Sequence, residues 1–495
     1  MNNLLLIITG SWIALPLLVI LICNLLDRKT GKTWALPAAI VVSIGQMITT
    51  GLGLLQLWLT KSGFINFTIF WNVNDFAEIA RNAWSSAFFS VDTLSLVVMF
   101  AIGMVALVAA LTAKKMNQDK ALNFTNLLMV LIMGMNGLAM VMDLFSLYVF
   151  LEITGIASFI LIALYKDKKG LEGSFKYLIM SAMASAMILA GIAIMNTVAS
   201  GVTFNHISSI FTAGVSLDAF HSISLVLLVA GIAIKAGLAP FHGWLPDAYE
   251  SAPASVSVLL GGIVTKMAGV YAILRLAQDV FANAKGFNYS LLLLATVSIV
   301  YGAVAALKQK DFKRILAYSS ISQIGYIVLG AVCGSPLGFV GAILHFFNHA
   351  TFKSTLFVNS AALESQVKTR NIEEMGGLAK QMPLTGVSSV LALLSTAGIP
   401  PLAGFWSKLL IIIAVWQTGH SLIAGIAVFA SVFTLAYFLM IQRKVFFGPA
   451  EEKFAGVREV KGGLAVSQVM LSVVTVVMGI IFPLVLLFFQ TRGMI

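Results

Sequence analysis

The chain alternates long apolar runs with short charged connections, and each run has about the length of a helix that crosses a bilayer, ~20 residues. The runs fall near 4–26, 34–60, 88–112, 121–142, 144–165, 177–200 and 223–240, and then near 255–277, 289–307, 315–333, 336–360, 385–414, 420–441 and 463–489. That pattern predicts fourteen spans. The fourth and fifth runs, and the tenth and eleventh, are separated so narrowly that one merger stays open. The longest polar stretch, 61–87, contains Phe67-Thr-Ile-Phe-Trp71, which predicts a short extramembrane strand. No segment is long enough for a separate soluble domain.

Composition sharpens this picture. Apolar residues make up 59% of the chain and charged ones 10%, against ~25% charged in soluble proteins, and the mean hydropathy is +0.97. These values exclude a soluble enzyme, a nucleic-acid-binding domain and a disordered chain, and leave an all-α polytopic membrane protein. The opening Met1-Asn2-Asn3 has no basic flank and no cleavage site follows, so the first run is expected to be a retained span. Cys23 and Cys333 imply no disulfide framework.

The net charge of +11 is a matter of loop placement. Of the 31 Lys and Arg, 22 fall in loops after odd-numbered spans, whereas Lys61, Arg81, Lys285 and Arg492 fall on the other side. By the positive-inside rule the 22 mark the inner, basic face and both termini are expected outside. Cys23 and Cys333 then lie on opposite faces and cannot pair.

An internal repeat accompanies the topology. Lys235-Ala-Gly-Leu-Ala-Pro240-Phe-His-Gly243-Trp aligns with Thr396-Ala-Gly-Ile-Pro-Pro401-Leu-Ala-Gly404-Phe at an offset of 161 residues. The copies lie five spans apart and so enter the membrane in opposite directions. Equivalent Gly/Pro-interrupted spans in opposite orientation are the pattern of inverted repeats in transporters. Spans seven and twelve are therefore expected to break near Gly237–Pro240 and Gly398–Pro401.

Charges at bilayer depth are costly, ~2.5–3.5 kcal/mol for Lys or Asp at a helix centre, so each needs a reason. Those inside the spans are Glu152, Lys235, Lys266, His345, His349, Lys353 and Lys408. Asp92 and Asp143 sit at span ends and are expected to be solvated. Glu152 lies ~13 Å of helix beyond Asp143, near mid-membrane. A structural ion pair with Lys235 is its alternative reading, and capping of the broken helix is the alternative for Lys235. Lys266 sits among Gly261, Gly262 and Gly269, which leave room for water and close helix approach. Lys408 follows the second break whereas Lys235 precedes the first, so the two are not repeat equivalents. For Lys266 and Lys408 the alternative is snorkelling to an interface. His345 and His349 share one helical face. The intervening Phe-Phe-Asn lacks a metalloprotease Glu and Lys353 repels a cation, which argues against metal. Proton relay suits a His near physiological pH, and simple buried histidines bonded to Ser or Asn are the alternative. The chain offers no phosphate loop, Cys-x-x-Cys pair or haem motif, and neither a cofactor nor a nucleic-acid partner is expected.

These residues carry a resemblance. Lys235-Ala-Gly-Leu-Ala-Pro-Phe-His-Gly-Trp-Leu-Pro-Asp-Ala-Tyr-Glu-Ser-Ala-Pro resembles the hallmark of the proton-conducting antiporter-like subunits of the complex I superfamily. His345-Phe-Phe-Asn-His-Ala-Thr-Phe-Lys353 and Pro400-Pro-Leu-Ala-Gly-Phe-Trp-Ser-Lys408 are similar to two more of its motifs. The family includes subunits of NADH:quinone oxidoreductase, of Mrp cation/proton antiporters and of membrane-bound hydrogenases. The resemblance implies two inverted five-helix bundles, 121–278 (spans four to eight) and 288–445 (nine to thirteen), flanked by spans one to three in 1–120 and span fourteen in 463–495. It also implies a relay through Glu152, Lys235, Lys266, His345, His349 and Lys408. Lys408 and the ending soon after span fourteen favour a D-type Mrp subunit or its hydrogenase relatives over the M-, L- and A-types.

The expected function is ion translocation, H+ alone or Na+ exchanged for H+, as one subunit of a larger complex in a prokaryotic cell membrane. Its neighbours would include antiporter-like paralogues. By itself the chain is not read as catalytic, and a redox-driven translocase would be only its setting. The competing readings are a non-conducting structural subunit and, more remotely, an intramembrane enzyme built on the His pair.

Overall fold

The computed structural model describes residues 2–30, 34–60, 67–68, 89–199, 201–212, 219–449 and 454–491. Twelve of the described helices are long and apolar enough to cross a membrane. The long helix Pro336–Val367 and the shorter apolar helices Pro383–Ala397 and Ala403–Gln417 occupy the places of the expected spans eleven and twelve. The chain is a multi-pass helical membrane protein. The narrow connections hold: Gln118–Met140 is separate from Leu144–Ile162, and Phe312–Val332 from Pro336–Val367.

Spans one to six are Asn2–Thr30, Ala35–Thr60, Thr93–Thr112, Gln118–Met140, Leu144–Ile162 and Lys168–Ala199. Span seven is Ala219–Ala236 plus Trp244–Ser251, span eight Ala254–Val280, span nine Lys285–Leu307, span ten Phe312–Val332 and span eleven Pro336–Val367. Spans twelve, thirteen and fourteen are Pro383–Ala397 with Ala403–Gln417, Ser421–Phe446, and Gly463–Ile480 with Phe482–Thr491. Of the expected strand, Phe67–Thr68 (β1) pairs antiparallel with Ser90–Val91 (β2), while 69–71 lie outside the described residues, as does most of the 61–87 loop. Three expectations need correction. Span seven does not stop at 240 but resumes at Trp244. Span fourteen bends where Pro483 follows Phe482, because Pro lacks the N–H that would continue the helix. Asp92 and Asp143 are not simply solvated: each caps its helix, accepting the backbone N–H of Ser95 or Ser146 at 2.7 Å, and Asp143 is buried.

The breaks in spans seven and twelve have the same local cause. Gly237 (φ +69°) and Gly398 (φ +87°) take the left-handed conformation that ends a helix. After each, the chain folds back in the same two bonds, Gly237 N to Ile234 O and Leu238 N to Ala233 O, then Gly398 N to Ser395 O and Ile399 N to Leu394 O. A second correspondence was not visible in the sequence. Asp143 bridges Thr203 as Asp311 bridges Asn371, an offset of 168 residues in both partners. The flanking bonds repeat it, Leu144 N to Val202 O and Phe204 N to Met142 O matching Phe312 N to Arg370 O and Ile372 N to Lys310 O.

Burial is concentrated in spans three, eight, ten and eleven. Span eight is buried along its whole length, and span eleven packs against spans three, eight, ten, twelve and fourteen. Glycines make this closeness achievable. A Cβ on Gly269 would lie 2.2 Å from the backbone N of Ala236, and one on Gly262 would lie 2.4 Å from Ser354 Oγ. Span eight is thus pressed between the first break and span eleven.

Candidate functional site

Glu152 on span five and Lys235 at the end of span seven's first half meet at 2.8 Å. Lys235 is buried, and its ammonium also donates to Ser181 Oγ at 3.2 Å. Ser185, one turn further along span six, donates to Glu152. The carbonyls released by the break do not hold Lys235. Ile234 O accepts Gly237 N and the Trp244 indole N–H, the latter at 2.9 Å, so the capping alternative for Lys235 falls away. Glu152 keeps 28% of its side chain exposed, which leaves its carboxylate room to exchange partners.

Lys266 is fully buried, on span eight. Around it the helix widens into π turns, Leu260–Val264 and Lys266–Tyr271, which misalign carbonyls from their usual donors. The Lys266 ammonium takes one of them, Gly261 O, at 2.6 Å. No carboxylate pairs with it among the described residues. Snorkelling is excluded by its burial.

Span eleven carries His345, His349 and Lys353, all with zero exposure. His345 Nδ1 faces Ser407 Oγ at 2.9 Å and its Nε2 faces Gln323 Oε1 at 3.2 Å. Both ring nitrogens of His349 are buried without a partner in the structure, and its ring centroid lies 6.5 Å from that of His345. Lys353 is anchored on span ten by Leu316 O at 2.9 Å and by Ser319 Oγ.

Lys408 is buried rather than snorkelling. Its ammonium reaches back across the second break to Thr396 O at 2.8 Å and lies 4.6 Å from the centre of the Tyr326 ring. That ring is 6.1 Å from His345. Thr396 aligns with Lys235 in the repeat, but only Lys408 bonds a carbonyl at a break, whereas the Lys235 ammonium turns to Glu152 and Ser181. The structure thus joins Glu152 to Lys235 directly and His345 to Lys408 through Ser407 and Tyr326. Lys266 touches neither group. Its ammonium bonds the carbonyl of Gly261, on its own helix. No three His, Cys, Asp or Glu side chains converge as metal ligands among the described residues.

Several contributors escaped the sequence reading. Ser181 and Ser185 recur at i, i+4 on span six, a spacing that could have singled them out. Gln323, Tyr326 and Ser407 carry no local signal. Arg275, placed at an outer edge by its position, is buried and paired with Asp92 at 2.8 Å, a contact across 183 residues.

Comparison with known proteins bears on the chain as a whole. A profile described as NADH:quinone oxidoreductase/Mrp antiporter, transmembrane, matches residues 141–434. The D-type subunit of the Na(+)/H(+) antiporter of Alkalihalophilus pseudofirmus is 32% identical over 388 residues, 78% of each chain. The N-type subunit of the NADH-quinone oxidoreductase of Ruthia magnifica is 30% identical over 465 residues, 92% of each. Among solved structures, a chain of the membrane-bound sulfane sulfur reductase, an archaeal respiratory membrane complex, superposes with a TM-score of 0.86 at 27% identity, covering 98% of this chain and 96% of that one.

Proposed function

The chain belongs to the NADH:quinone oxidoreductase/Mrp antiporter transmembrane family, and from that premise we propose that it moves protons, alone or in exchange for Na+, through the membrane as one subunit of a multisubunit complex. The ion would travel along Glu152, Lys235, Lys266, His349, His345 and Lys408. Residues 121–278 and 288–445 would form the two inverted halves of the path. The neighbours would be other membrane subunits, antiporter-like paralogues among them, in a prokaryotic cell membrane with both termini outside. The likeness to the D-type antiporter relative and the lysine at 408 support a D-type role.

One observation carries this reading. Lys266, Lys353 and Lys408 are buried with carbonyls, a hydroxyl and a ring around them, and no carboxylate pairs with them among the described residues. Helix staples are made from matched pairs, and a buried pair often stabilises no better than apolar side chains of the same volume. Three unmatched amines repel one another and cost several kcal/mol each if all are charged. They are inexpensive when neutral, the state that an amine passing a proton on must be able to reach. The non-conducting structural subunit has one observation in its favour, the Glu152–Lys235 pair, and leaves the other amines without a purpose.

The pair sets the mechanism. While Glu152 is ionised at 2.8 Å it favours the charged form of Lys235. Separation of Glu152 from Lys235 removes that support and lets the ammonium release its proton. The proton then passes to Lys266 and the His pair, and Lys408 exchanges it with bulk. Glu152→Gln keeps the shape and removes the charge. We expect the complex to assemble and transport in proteoliposomes to cease, whereas full transport would return Glu152 to a structural role.

A further inference from the structure

A second group of buried polar side chains lies away from the relay, toward the basic face, around the first half of span twelve. Its outer end is the half-buried Glu459, in the connection between spans thirteen and fourteen. Glu459 accepts Thr385 N at 3.0 Å and Thr385 Oγ1 at 2.7 Å. The single hydroxyl proton of Thr385 is thereby committed to the carboxylate, so its oxygen accepts from Gln468 Nε2 at 3.0 Å. That bond orients the Gln468 amide, whose nitrogen also donates to Asn359 Oδ1 at 2.9 Å, joined there by Ser388 Oγ at 3.0 Å. The carboxylate thus sets the direction of the bonds from Thr385 through Gln468 to Asn359. It leaves Gln468 Oε1 and Asn359 Nδ2, an acceptor and a donor on side chains with zero exposure, without protein partners. Ser360 Oγ, beside Asn359, is likewise buried and unpaired.

Buried polar atoms in native proteins are satisfied by protein or by ordered water. The corresponding place in the first repeat is closed. At the offsets of 168 and 161 residues, Asn359 and Thr385 correspond to Gly191 and Ser224, and there Ser224 Oγ simply donates to Gly191 O at 2.7 Å. A Cβ on Gly191 would lie 2.9 Å from Leu228, so the helices leave no space. The polar group of the second half is therefore not a by-product of the shared architecture.

We infer that Glu459, Thr385, Gln468 and Asn359 form a water-binding port that admits protons between the basic face and the Lys353 segment of span eleven. Ser360 stands seven residues from Lys353, two turns along the same helix face or ~10 Å, and Ser354 Oγ, next to Lys353, is another buried polar atom without a protein partner. This inference rests on the transport reading for its role. Its existence is tested separately.

The test uses sealed, oriented vesicles carrying the whole complex, with Cys23 and Cys333 replaced by Ala and one thiol added, at Ser388→Cys or, for the closed counterpart, at Ser224→Cys. Ag+, a probe of about the size of water, is applied to one face at a time, and protection from later maleimide labelling of the denatured chain is read. Co-purification of the complex reports folding. We expect Ser388→Cys to be protected by Ag+ from the basic face only and Ser224→Cys to stay unprotected. Gln468→Met, which fills the place with an apolar side chain, should remove that protection when combined with Ser388→Cys and should by itself lower transport. An unprotected Ser388→Cys, equal protection at both positions, or wild-type transport in Gln468→Met overturns the port. If wild type itself does not transport, labelling alone decides the port, and the failure belongs to the transport reading.

Discussion

Two of the ion pairs within the spans, Arg275–Asp92 and Lys235–Glu152, are built to opposite ends. Arg275 and Asp92 tie span eight to span three, and every direction of the guanidinium is occupied. Its Nη2 donates to Asp92 at 2.8 Å and to Ser95 Oγ at 2.6 Å, its Nε to Tyr271 at 2.6 Å, and Nη1 also reaches Asp279 at 3.3 Å. Arginine does not release its proton in a protein, so this pair has one state. Lys235 and Glu152 form a simpler contact, one ammonium on one carboxylate oxygen, with serines as exchangeable partners and the carboxylate partly open. The difference teaches that an ion pair at depth is not a functional signal by itself. What matters is whether its proton can leave and whether its partners can be replaced.

The largest effect should come from making the second pair resemble the first. Lys235→Arg keeps the charge and the contact with Glu152 but removes the exchangeable proton, and we expect assembled complex with transport reduced by ~100-fold or more, the scale of a lost proton-transfer group. Transport near wild type would mean that Lys235 acts only as a fixed charge, and the contrast would collapse. The converse change, Arg275→Lys, keeps the charge of the first pair and forfeits the fork. It should lower stability by ~1–3 kcal/mol, the cost of unmade bonds to charged groups, read as a lower detergent-melting temperature. Transport per folded complex should be unchanged, and a selective loss of transport would make Arg275 part of the path. The smallest effect concerns the breaks. Gly398→Ala places a Cβ 3.2 Å from Lys408 Cδ at φ +87°, whereas Gly237→Ala places one 2.5 Å from Leu245 Cδ1, the movable end of a side chain outside the relay, at φ +69°. Both should cost ~1–2 kcal/mol for the left-handed backbone, with a further, modest slowing of transport in Gly398→Ala alone. Equal slowing in both would show that backbone strain, not the placement of Lys408, is responsible.

Much of this was legible in the sequence because the bilayer enforces simple rules. Apolar length located the spans, and Gly237 and Gly398 located the breaks, since only glycine adopts φ > 0 there at little cost. The cost of charge at depth singled out Glu152, Lys235, Lys266, His345, His349 and Lys408 before any geometry was known. What stayed hidden depends on distance along the chain or on helix geometry that periodicity does not encode. Asp92 looked like a solvated end residue because its partner lies 183 residues away. The π turns around Lys266 leave no trace in an apolar pattern. The resumption of span seven at Trp244 was masked by its polar Asp247 and Glu250, which pair with Arg314 of span ten at 2.7 and 2.8 Å. Asn359 and Gln468 were read as ordinary members of apolar runs, and only their meeting with Thr385 and Glu459 gives them significance.

The central claim is that protons cross through Lys266, between the two halves. It is tested most directly by measuring ΔpH-driven transport in sealed vesicles with Lys266→Arg beside Lys266→Ala. Arg preserves a positive charge at the π turn but cannot give up a proton. Ala removes both the charge and the bulk, which matters because Gly262 and Gly269 leave little space beside this residue. The account predicts assembled complex and abolished transport in both variants. Wild-type transport in Lys266→Arg would contradict it, and the path would then have to bypass Lys266.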